Sequence, residues 1–583
     1  MNEVWNLDPI YRGFDDPAFE ADFSALKEKI AEFSAFTEGL ASCEPLKGLR
    51  DGIAHQEETF RLANRIGLYA SLRQAANTRD TDASSNMGRF LGLISDVAVP
   101  RAAFKDWAAK LPGLMDLVRG DDDLKDYEFL FSKMADSSCY LLPGRGEEIM
   151  ARMELSGGNA WSDLQSYLTS TVKVHYDGGI TNLSTIRNLA YDGDPAVRKA
   201  AYEAELAAYE SIKDSVAFAL NSIKLETISD CKLRGYASPL ARTLKHSDMS
   251  QATLDAMLGA MDEFLPKFWQ YMKAKAKALG HTNGLPWYDL FAPMGCTSRK
   301  YTTEEAREYL LKQFATFDQE LTDMVAKAFD EAWIDFYPRD GKTGGAFCSG
   351  VDCLGESRIL TNFDGMFGDI VTIAHELGHA FHNWCLKGQR TLNRDYSMPV
   401  AETASTFNEC IVMNAAIAVA DKEEKLALIE TQLQDVNQII CDIYSRFCFE
   451  ASVFEKREEE FMNADALCGL MLDAQKKCYG DGLDHDVLHP FMWVCKGHYY
   501  GPTFYNFPYA FGGLFARGLY AQYQKEGEAF VPKYKRLLQA TAVSTAEDTA
   551  KVAGIDLTDK EFWRSALQVV ADQIDLFCQL VEK

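Results

Sequence analysis

The stretch IVTIAHELGHAFH, residues 370–382, contains the pattern H-E-x-x-H, and the interpretation of the chain begins from it. On an α-helix, positions i and i+4 lie about 40° apart around the axis and about one turn apart along it. His375 and His379 can therefore direct imidazole nitrogens at one metal ion. Glu376 lies about 100° around the helix from His375, where it can reach a water on that ion without ligating it. Zinc suits two imidazoles and an open coordination position, so the pattern predicts one Zn²⁺ per chain.

The competing interpretation of this motif is a chance match on a buried helix. The chain has 10 His among 583 residues, which makes a random H-E-x-x-H expected in about one per cent of such chains. The neighbours of the motif are apolar, and an unpaired glutamate would be costly to bury among them. A metal site is therefore the favoured interpretation.

Zinc needs a third protein ligand, and the residues just after the motif do not supply it. His382 lies about 10 Å along the helix axis from His375, which is too far for both to touch one ion. The metzincin pattern requires Gly at position 382 and His at position 385, whereas this chain has His382 and Cys385. That class of zinc enzyme is excluded.

A glutamate from the following helix is the alternative source of the ligand. Pro399 is suited to the first turn of a new helix. Glu402 and Glu409 follow, and their seven-residue spacing places them on one face of that helix. Glu402 is predicted to be the third ligand, and Glu409 is predicted to orient a ligand histidine. A carboxylate that is satisfied in a helix–helix contact is the alternative interpretation of Glu409.

Two other segments have compositions that suit a hydrolytic site. Residues 346–349 and 357–363 predict two short strands, whose free edge could pair with an extended peptide backbone. The alternative is a hairpin that only closes the lobe.

Residues 496–513 are rich in Gly, Pro and aromatic side chains. Their Tyr and His residues are neutral donors that could stabilise a developing oxyanion, on a loop that could close over a substrate.

The run HELGHAFH at residues 375–382, followed by Glu402 and Glu409, closely resembles the M3 family of zinc metallopeptidases. Within that family it is most similar to the oligoendopeptidase F branch, which is related to thimet oligopeptidase and neurolysin. The resemblance implies a mainly α, neurolysin-like zincin fold. Two helical lobes would flank a deep substrate channel, with a small β-ribbon beside the zinc helix.

The resemblance also implies roles for residues of the aromatic segment. By match of pattern, His498, Tyr505 and Tyr509 are the positions expected to stabilise the oxyanion, while aromatic packing remains the alternative for each tyrosine. The implied activity is zinc-dependent hydrolysis of internal bonds in short, unstructured oligopeptides. Glu376 would accept the proton of the attacking water and deliver it to the leaving amine.

The organisation of the remaining chain is predicted from helical patterns. Residues 1–200 are predicted to form an N-terminal helical lobe, and residues 201–583 the catalytic region. A strand is predicted at 169–174 from its β-branched residues, and one helix from Pro195 to about residue 233. A capping-box pattern predicts a helix start at 302–305.

Composition limits the partners and the compartment. The formal net charge of −26 argues against nucleic acid or an anionic membrane as a partner. The 14 Cys show no C-x-x-C pairs, and neither a signal peptide nor a membrane span is visible, so a cytoplasmic location is predicted. The sequence does not predict the oligomeric state.

The alternative functions are other zinc hydrolases, which use the same metal ligands, and a peptide-binding protein without catalytic activity. A carboxydipeptidase-type exopeptidase would use the same ligands but would need a group that binds the substrate terminus. An aminopeptidase is disfavoured because no G-x-M-E-N motif is present, and a deformylase is disfavoured by the chain length. A non-catalytic peptide-binding scaffold would not require Glu376 as a general base.

Overall fold

The computed structural model describes residues 3–143, 145–295 and 299–582. It is 71% helical and 3% strand, which confirms the prediction of a mainly α fold with small sheets. Within the described residues, no helix combines the length and the apolar character needed to cross a bilayer.

The N-terminal helices form because caps and apolar stripes coincide. Asp16 accepts a hydrogen bond from the Ala18 amide at 2.9 Å, Pro17 occupies the first turn, and a buried stripe follows from Phe19 to Phe33. The helices of this part are α1 (Pro17–Glu38), α2 (Pro45–Ala76), α3 (Thr81–Ser95), α4 (Ala98–Ala109), α5 (Leu114–Arg119), α6 (Glu128–Ser138), α7 (Gly146–Ser156) and α8 (Gly158–Thr171).

The predicted strand at residues 169–174 is wrong, because α8 continues to Thr171. The Thr169 hydroxyl donates to the Gln165 carbonyl at 2.9 Å, and the Thr171 hydroxyl donates to the Tyr167 carbonyl at 2.7 Å. These bonds satisfy the threonine hydroxyls within the helix, so the β-branched side chains are accommodated there. The strand begins only at β1 (Val174–Tyr176), which pairs antiparallel with β2 (Gly179–Thr181).

The predicted single helix from Pro195 to residue 233 is two helices. Ser211 ends the first of them, and its hydroxyl donates to the Ala208 carbonyl at 2.8 Å, while Gly235 ends the second with a left-handed φ of +83°. The helices of this part are α9 (Leu183–Asn188), α10 (Pro195–Glu210), α11 (Lys213–Arg234), α12 (Pro239–His246), α13 (Gln251–Ala278), α14 (Thr303–Phe314) and α15 (Gln319–Asp330).

The capping box predicted at the start of α14 is confirmed. The Thr302 hydroxyl accepts from the Glu305 amide at 3.1 Å, and the Glu305 carboxylate accepts from the Thr302 amide at 2.8 Å.

A small three-stranded sheet lies beside the helix that carries the H-E-x-x-H motif. Its strands are β3 (Ile334–Asp335), β4 (Phe347–Val351) and β5 (Glu356–Leu360), in the order β3-β5-β4. The antiparallel β4–β5 pair corresponds to the two predicted strands, with Cys348 opposite Ile359. The two-residue β3, parallel to β5, was not predicted. β4 is an edge strand of this sheet.

The C-terminal part is helical and supplies most of the candidate site. α19 and α20 are joined by a π-helical turn at Gln438–Asp442. The helices are α16 (Phe367–Cys385), α17 (Met398–Ala401), α18 (Thr403–Val419), α19 (Lys422–Asn437), α20 (Ile443–Arg457), α21 (Ala464–Tyr479), α22 (Met492–Cys495), α23 (Phe507–Glu526), α24 (Val531–Ala540), α25 (Ala546–Lys551) and α26 (Lys560–Glu582).

Buried apolar side chains form one large core and smaller ones. The large core includes residues from Val174 to Phe577. Two smaller cores involve the N-terminal helices, and one of them also takes in Val351 of β4 and Leu360 of β5. The N-terminal part is thus tied to the sheet beside α16, while the lobe boundary at residue 200 stays a prediction.

Candidate metal centre

The two motif histidines face each other across one turn of α16. Their Nε2 atoms lie 3.2 Å apart, and their rings are nearly perpendicular. At the N-terminus of the helix, the Asp369 carboxylate in the first turn accepts a hydrogen bond from the amide of Met366, the N-cap residue, at 2.9 Å. Its apolar face, from Ile370 to Phe381, is buried in the large core. That burial fixes the rotation of the helix and turns His375 and His379 to the opposite side.

Gly378, inside the motif, allows the next helix to approach closely. A Cβ atom at this position would lie 2.4 Å from the Ala404 carbonyl oxygen and 2.5 Å from the Ser405 Cα. Only glycine permits this separation of α16 and α18. The contact sets the distance between the two histidines and the residue that precedes α18, which is Glu402.

Glu402 lies at a break between helices and completes the group. α17 carries Pro399 in its first turn, as predicted, but the helix is interrupted at Glu402 before α18 begins. Glu402 Oε2 lies 3.3 Å from His375 Nε2 and 3.4 Å from His379 Nε2. It also accepts a hydrogen bond from the Ser405 hydroxyl at 2.7 Å. Burial would raise the pKa of Glu402, but the hydrogen bonds with His375 and His379 hold it well below its usual range.

These three atoms match the donor set and spacing of a zinc site. They form a nearly equilateral triangle with sides of 3.2, 3.3 and 3.4 Å. Zinc ligands at about 2.0–2.1 Å in tetrahedral geometry lie about 3.3 Å from one another. Of the residues that the structure describes, His375, His379 and Glu402 are the group able to hold a metal ion in this way.

Glu409 contacts the outer nitrogen of His375. Its Oε1 lies 2.5 Å from His375 Nδ1. Because a carboxylate only accepts, Nδ1 carries the proton and Nε2 is left to face the triangle. Burial would lower the pKa of His375, but the hydrogen bonds that Glu402 and Glu409 accept from it raise it to about 10. Of the two interpretations of Glu409, this contact favours the predicted one, in which it orients a ligand histidine, over a carboxylate satisfied only in a helix–helix contact.

Glu376 is buried beside the sheet. Its side chain is 6% exposed, and no described residue donates a hydrogen bond to its carboxylate. Burial raises the pKa of Glu376, while His375 and His379 lower it. The carboxylate also contributes, after burial, to the raised pKa of the Cys348 thiol on β4. Glu376 therefore lies on the helix that packs against the edge strand, with its acceptor oxygens available.

His382 has a structural environment, as its position along the helix predicts. Its Nε2 lies 2.8 Å from the Thr541 hydroxyl, and its ring stacks on Tyr396 at 4.1 Å. Burial lowers the pKa of His382 to about 3, so the ring is neutral. It takes no part in the triangle.

The aromatic segment divides into packed and accessible side chains. Tyr499 and Tyr500 are buried, and the Tyr500 hydroxyl donates to the Trp493 carbonyl at 2.9 Å. His498, Tyr505 and Tyr509 are only partly buried and form a cluster. Its ring centroids lie 5.4 Å apart for His498–Tyr505, 6.1 Å for His498–Tyr509 and 5.7 Å for Tyr505–Tyr509. The structure thus brings together the three side chains that the family resemblance singled out.

This cluster is held against Glu402 by α23. A Cβ atom at Gly512 would lie 3.0 Å from the Glu402 Cβ, so the helix rests directly on that residue. Tyr509 lies three residues earlier on the same face of the helix. Burial, the hydrogen bond with Tyr505 and the charge of Glu402 raise the pKa of Tyr509 well above its usual range. The tyrosine hydroxyl is therefore protonated and close to the candidate ligand.

Phe504 carries backbone strain next to this cluster. It has a φ of +51°, which is unusual for a bulky residue, and its amide donates to the Glu450 carboxylate at 3.2 Å. Glu450 in turn is paired with the buried Lys224 at 2.6 Å. The buried pair fixes the backbone that presents Tyr505. Sequence reasoning did not identify this support.

Arg446 is a second residue that sequence reasoning missed. Its Nη1 lies 3.4 Å from His498 Nδ1, and its guanidinium is paired with Asp442 one turn earlier. A guanidinium only donates, so Nδ1 accepts and the His498 proton is on Nε2. Burial, then Arg446 and Lys496, lower the pKa of His498. The i, i+4 spacing of Asp442 and Arg446 was the available signal.

A cavity of about 540 Å³ reaches the centre from one side. His375 and Glu409 line it, together with Asp435 and Arg517 and apolar side chains that include Val371. Such a concave, mostly apolar space next to a candidate metal site suits binding of a small ligand or a side chain.

Comparison with known families matches most of the sequence. The model described as Peptidase family M3 matches residues 188–569. Oligopeptidase PepF of Bacillus subtilis is 24% identical over 598 aligned residues, which cover 100% of this chain and 88% of the relative. An oligoendopeptidase F homolog of Mycoplasma pneumoniae is 24% identical over 590 residues, covering 96% of this chain and 95% of the relative.

Solved structures share the whole fold. A putative peptidase from Chlamydophila abortus superposes with a TM-score of 0.87 at 20% identity, covering 99% of this chain and 98% of that chain. Oligoendopeptidase-F from Enterococcus faecium superposes with a TM-score of 0.72 at 20% identity, covering 97% and 99%. At these identities the likeness shows the fold alone.

Proposed function

Because this chain belongs to peptidase family M3 and is a metallopeptidase of the oligoendopeptidase F type, we propose that it is a zinc-dependent endopeptidase. Its substrates would be short, unstructured oligopeptides, cleaved at internal bonds. The observation that carries the proposal is the triangle of His375, His379 and Glu402 with Glu376 beside it.

Zinc is the proposed metal, held by the two histidines and Glu402. The nitrogen and oxygen donors and their mutual spacing support this choice over calcium or magnesium, which prefer oxygen ligands alone. When bound, zinc supplies a Lewis acid that polarises the scissile carbonyl and acidifies the attacking water. Glu409 orients His375 through Nδ1 and so keeps its Nε2 available.

Glu376 is the proposed general base. Its carboxylate accepts a proton from the attacking water and then delivers it to the nitrogen of the leaving amine. The absence of a described donor to this carboxylate supports the role, because its oxygens are available for a water. A peptide-binding scaffold would not need such a group.

His498, Tyr505 and Tyr509 are the proposed donors to the oxyanion. Each presents a proton on a neutral group: the hydroxyls of the tyrosines and Nε2 of His498. Donors aimed at the developing negative charge stabilise the transition state more than the ground state. The packing of α23 on Glu402 supports their nearness to the reacting carbonyl.

The edge strand β4 is proposed to align the substrate. It is paired on one side only, with β5, and the charge of Glu376 contributes, after burial, to the raised pKa of the Cys348 thiol on this strand. An extended peptide could add to this edge through backbone hydrogen bonds, which select shape more than sequence. Such binding suits unfolded oligopeptides and excludes folded proteins.

An exopeptidase of the carboxydipeptidase type is the alternative, and blocked peptides distinguish it. The test digests peptides that are acetylated at the N-terminus and amidated at the C-terminus with the zinc-loaded protein, and reads the products by mass. We expect internal cuts, loss of activity after exhaustive chelation, and recovery on addition of zinc. The proposal fails if blocked peptides stay intact while free peptides lose terminal residues, or if verified metal-free protein retains full activity.

A further inference from the structure

A second cavity, of about 380 Å³, is lined in part by the C-terminal end of α19 and shares no lining residue with the first. It is bounded by residues 184–205, 287–291 and 434–442 and by Lys496. Three cationic side chains (Arg187, Arg198 and Lys496) and two carboxylates (Glu205 and Asp442) line it. This excess of positive charge stands out in a chain with a formal net charge of −26. The space is called the cationic cavity below.

One of these cations, Lys496, lacks a partner among the described residues, and a second, Arg187, has only a loose ion pair. The Lys496 ammonium makes no hydrogen bond or ion pair with any described residue, although burial lowers its pKa. The Arg187 guanidinium likewise donates no hydrogen bond within the described residues. Its nearest carboxylate is Glu205, at 3.4 Å from Nε to Oε1. A cation that is partly removed from water without a partner is costly, so a bound anion would stabilise Lys496 and could add hydrogen bonds to Arg187, which has none in the described part of the chain.

The carboxylates that line the cavity are already bonded to other groups. Glu205 accepts the Tyr209 hydroxyl at 2.8 Å, and Asp442 accepts the Arg446 guanidinium. Arg198, the third cation, is paired with Asp289 at 2.8 Å. Among the described residues, Lys496 is therefore the unpaired charge left to meet a ligand. Arg187, at 3.4 Å from Glu205 and without a hydrogen bond to any residue that the structure describes, keeps its N–H donors for the same ligand.

A neutral group also lacks a partner here. Asn437 is 4% exposed and lines the cavity, and its Oδ1 has no hydrogen-bond partner among the described residues. Buried amides are nearly always satisfied, and an amide oxygen only accepts, so Asn437 calls for a donor such as a water or a peptide N–H and does not itself bind an anion.

The cationic cavity lies next to the proposed oxyanion donors. Lys496 precedes His498 by two residues, which limits their Cα atoms to about 7 Å apart. Asp442 lines the cavity and binds Arg446, which in turn contacts His498. A peptide whose scissile bond lies at the metal needs only a few residues, at about 3.3 Å each, to extend into it.

We propose that the cationic cavity is a carboxylate subsite, in which Arg187 and Lys496 bind an anionic group of the peptide substrate. The inference rests on the proposed peptidase function, which supplies the class of ligand. The anion is either the C-terminal carboxylate or the side chain of Asp or Glu. Arg187 offers a planar fork that matches a carboxylate, and Lys496 adds a compact charge.

The test measures binding without cleavage. The zinc-loaded Glu376→Gln protein is titrated at 0.15 M salt with fluorescent peptides of one neutral sequence. One has an amidated C-terminus, one has a free C-terminal carboxylate, and the others are amidated and carry a single Glu for Gln at successive positions. We expect one acidic form to bind at least ten-fold more tightly than the neutral amide, a difference of about 1.4 kcal/mol. The position of the favoured charge identifies its source.

Substitutions in the cavity decide whether these residues are responsible. In the same background, Lys496→Gln and Arg187→Gln are each expected to reduce the preference to less than three-fold. Lys496→Gln breaks no hydrogen bond, so it keeps the test valid if Arg187→Gln folds poorly. Lys199→Gln, an exposed lysine on α10, is the control and is expected to keep the preference.

Three results overturn the subsite. They are equal binding of all peptides to the parent protein, a preference that survives both cavity variants, and an equal loss of preference in the Lys199→Gln control. Failure of the proposed peptidase function would appear separately, as intact peptides with the wild-type enzyme, while the binding ratio remains measurable.

Discussion

Glu409 Oε1 lies 2.5 Å from Nδ1 of His375, across 34 residues of sequence. This bond determines which nitrogen of the imidazole faces Glu402 and His379. It is made possible by the close crossing of α16 and α18 at Gly378. The geometry of the candidate centre therefore depends on groups that do not themselves reach the ion.

Removal of the Glu409 carboxylate tests this dependence. Glu409→Ala leaves His375 without its acceptor, so we expect zinc affinity to fall about 10–100-fold. Competition with a chromogenic chelator measures the dissociation constant. Glu459→Ala, an exposed carboxylate after α20, is the matched control and should keep the wild-type affinity. An unchanged constant in Glu409→Ala would contradict the orienting role.

Gly378 is predicted to be intolerant of a side chain. Gly378→Ala forces a Cβ against the backbone of α18, where overpacking costs about 1–3 kcal/mol of stability, or more if the helices cannot separate. We expect a lower unfolding temperature and weaker zinc binding, because Glu402 moves with α18. Calorimetry of the apo and zinc-loaded proteins measures both effects.

The matched control for that substitution is Gly368→Ala, in the first turn of the same helix. A Cβ there meets nothing within 4 Å, and alanine is the better helix former. We expect its stability to equal or exceed that of the wild type. Equal effects of the two substitutions would show that steric contact with α18 is not the cause.

The tyrosine hydroxyls are predicted to act on the rate of reaction. Tyr505→Phe and Tyr509→Phe remove proposed oxyanion donors, so kcat should fall by about 10²–10³-fold for a hydroxyl that acts alone. Zinc content and KM should change little. Tyr500→Phe, which removes a buried hydroxyl bonded to the Trp493 carbonyl, should lower stability and leave kcat nearly intact. A large loss of kcat only in Tyr500→Phe would reverse the assignment.

His498 is predicted to remain neutral below its usual titration range. Burial, Arg446 and Lys496 lower its pKa, and Asp442 opposes them. The unfolded chain, with a pKa of about 6.5, then binds more protons than the folded one as the pH falls below that value. This residue therefore lowers the free energy of unfolding in acid and has no effect well above pH 6.5.

Substitution of Arg446 isolates the electrostatic part of that shift. Arg446→Met removes a positive charge next to Nδ1, so the pKa of His498 should rise. NMR titration of proteins with labelled histidine, assigned with His498→Gln, measures it. Lys456→Met, an exposed charge on the same helix, should leave the pKa unchanged. A fall in the pKa of His498 in Arg446→Met would contradict the contact.

Local periodicity was sufficient to predict part of this molecule. The i, i+4 spacing of His375 and His379 fixes their geometry within one helix, and the structure shows that helix at Phe367–Cys385. The capping box at Thr302 was likewise contained in four residues. At residues 169–171 the β-branched side chains predicted a strand, but the structure has a helix there. The threonine hydroxyls bond to carbonyls of the preceding turn, so the helix accommodates them.

Contacts between distant segments could not be predicted in this way. Arg446 and His498 are 52 residues apart, and Lys224 and Glu450 are 226 apart. Neither pair has a periodic signal, because the packing of several helices brings each together. The cationic cavity likewise joins residues near 187 with Lys496. Glu402 and Glu409 could be proposed in advance because their segment follows the motif directly, and His498, Tyr505 and Tyr509 only because of the family resemblance.

The most direct test of the central claim compares the wild type with Glu376→Gln in the zinc-loaded form. A mixed library of peptides blocked at both ends is digested, the cut positions are read by mass, and the zinc content is measured on the same samples. We predict internal cuts by the wild type, a loss of at least about 10³-fold in kcat/KM in the variant, and one zinc per chain in both. Undiminished cleavage by a variant that retains its zinc would contradict the account.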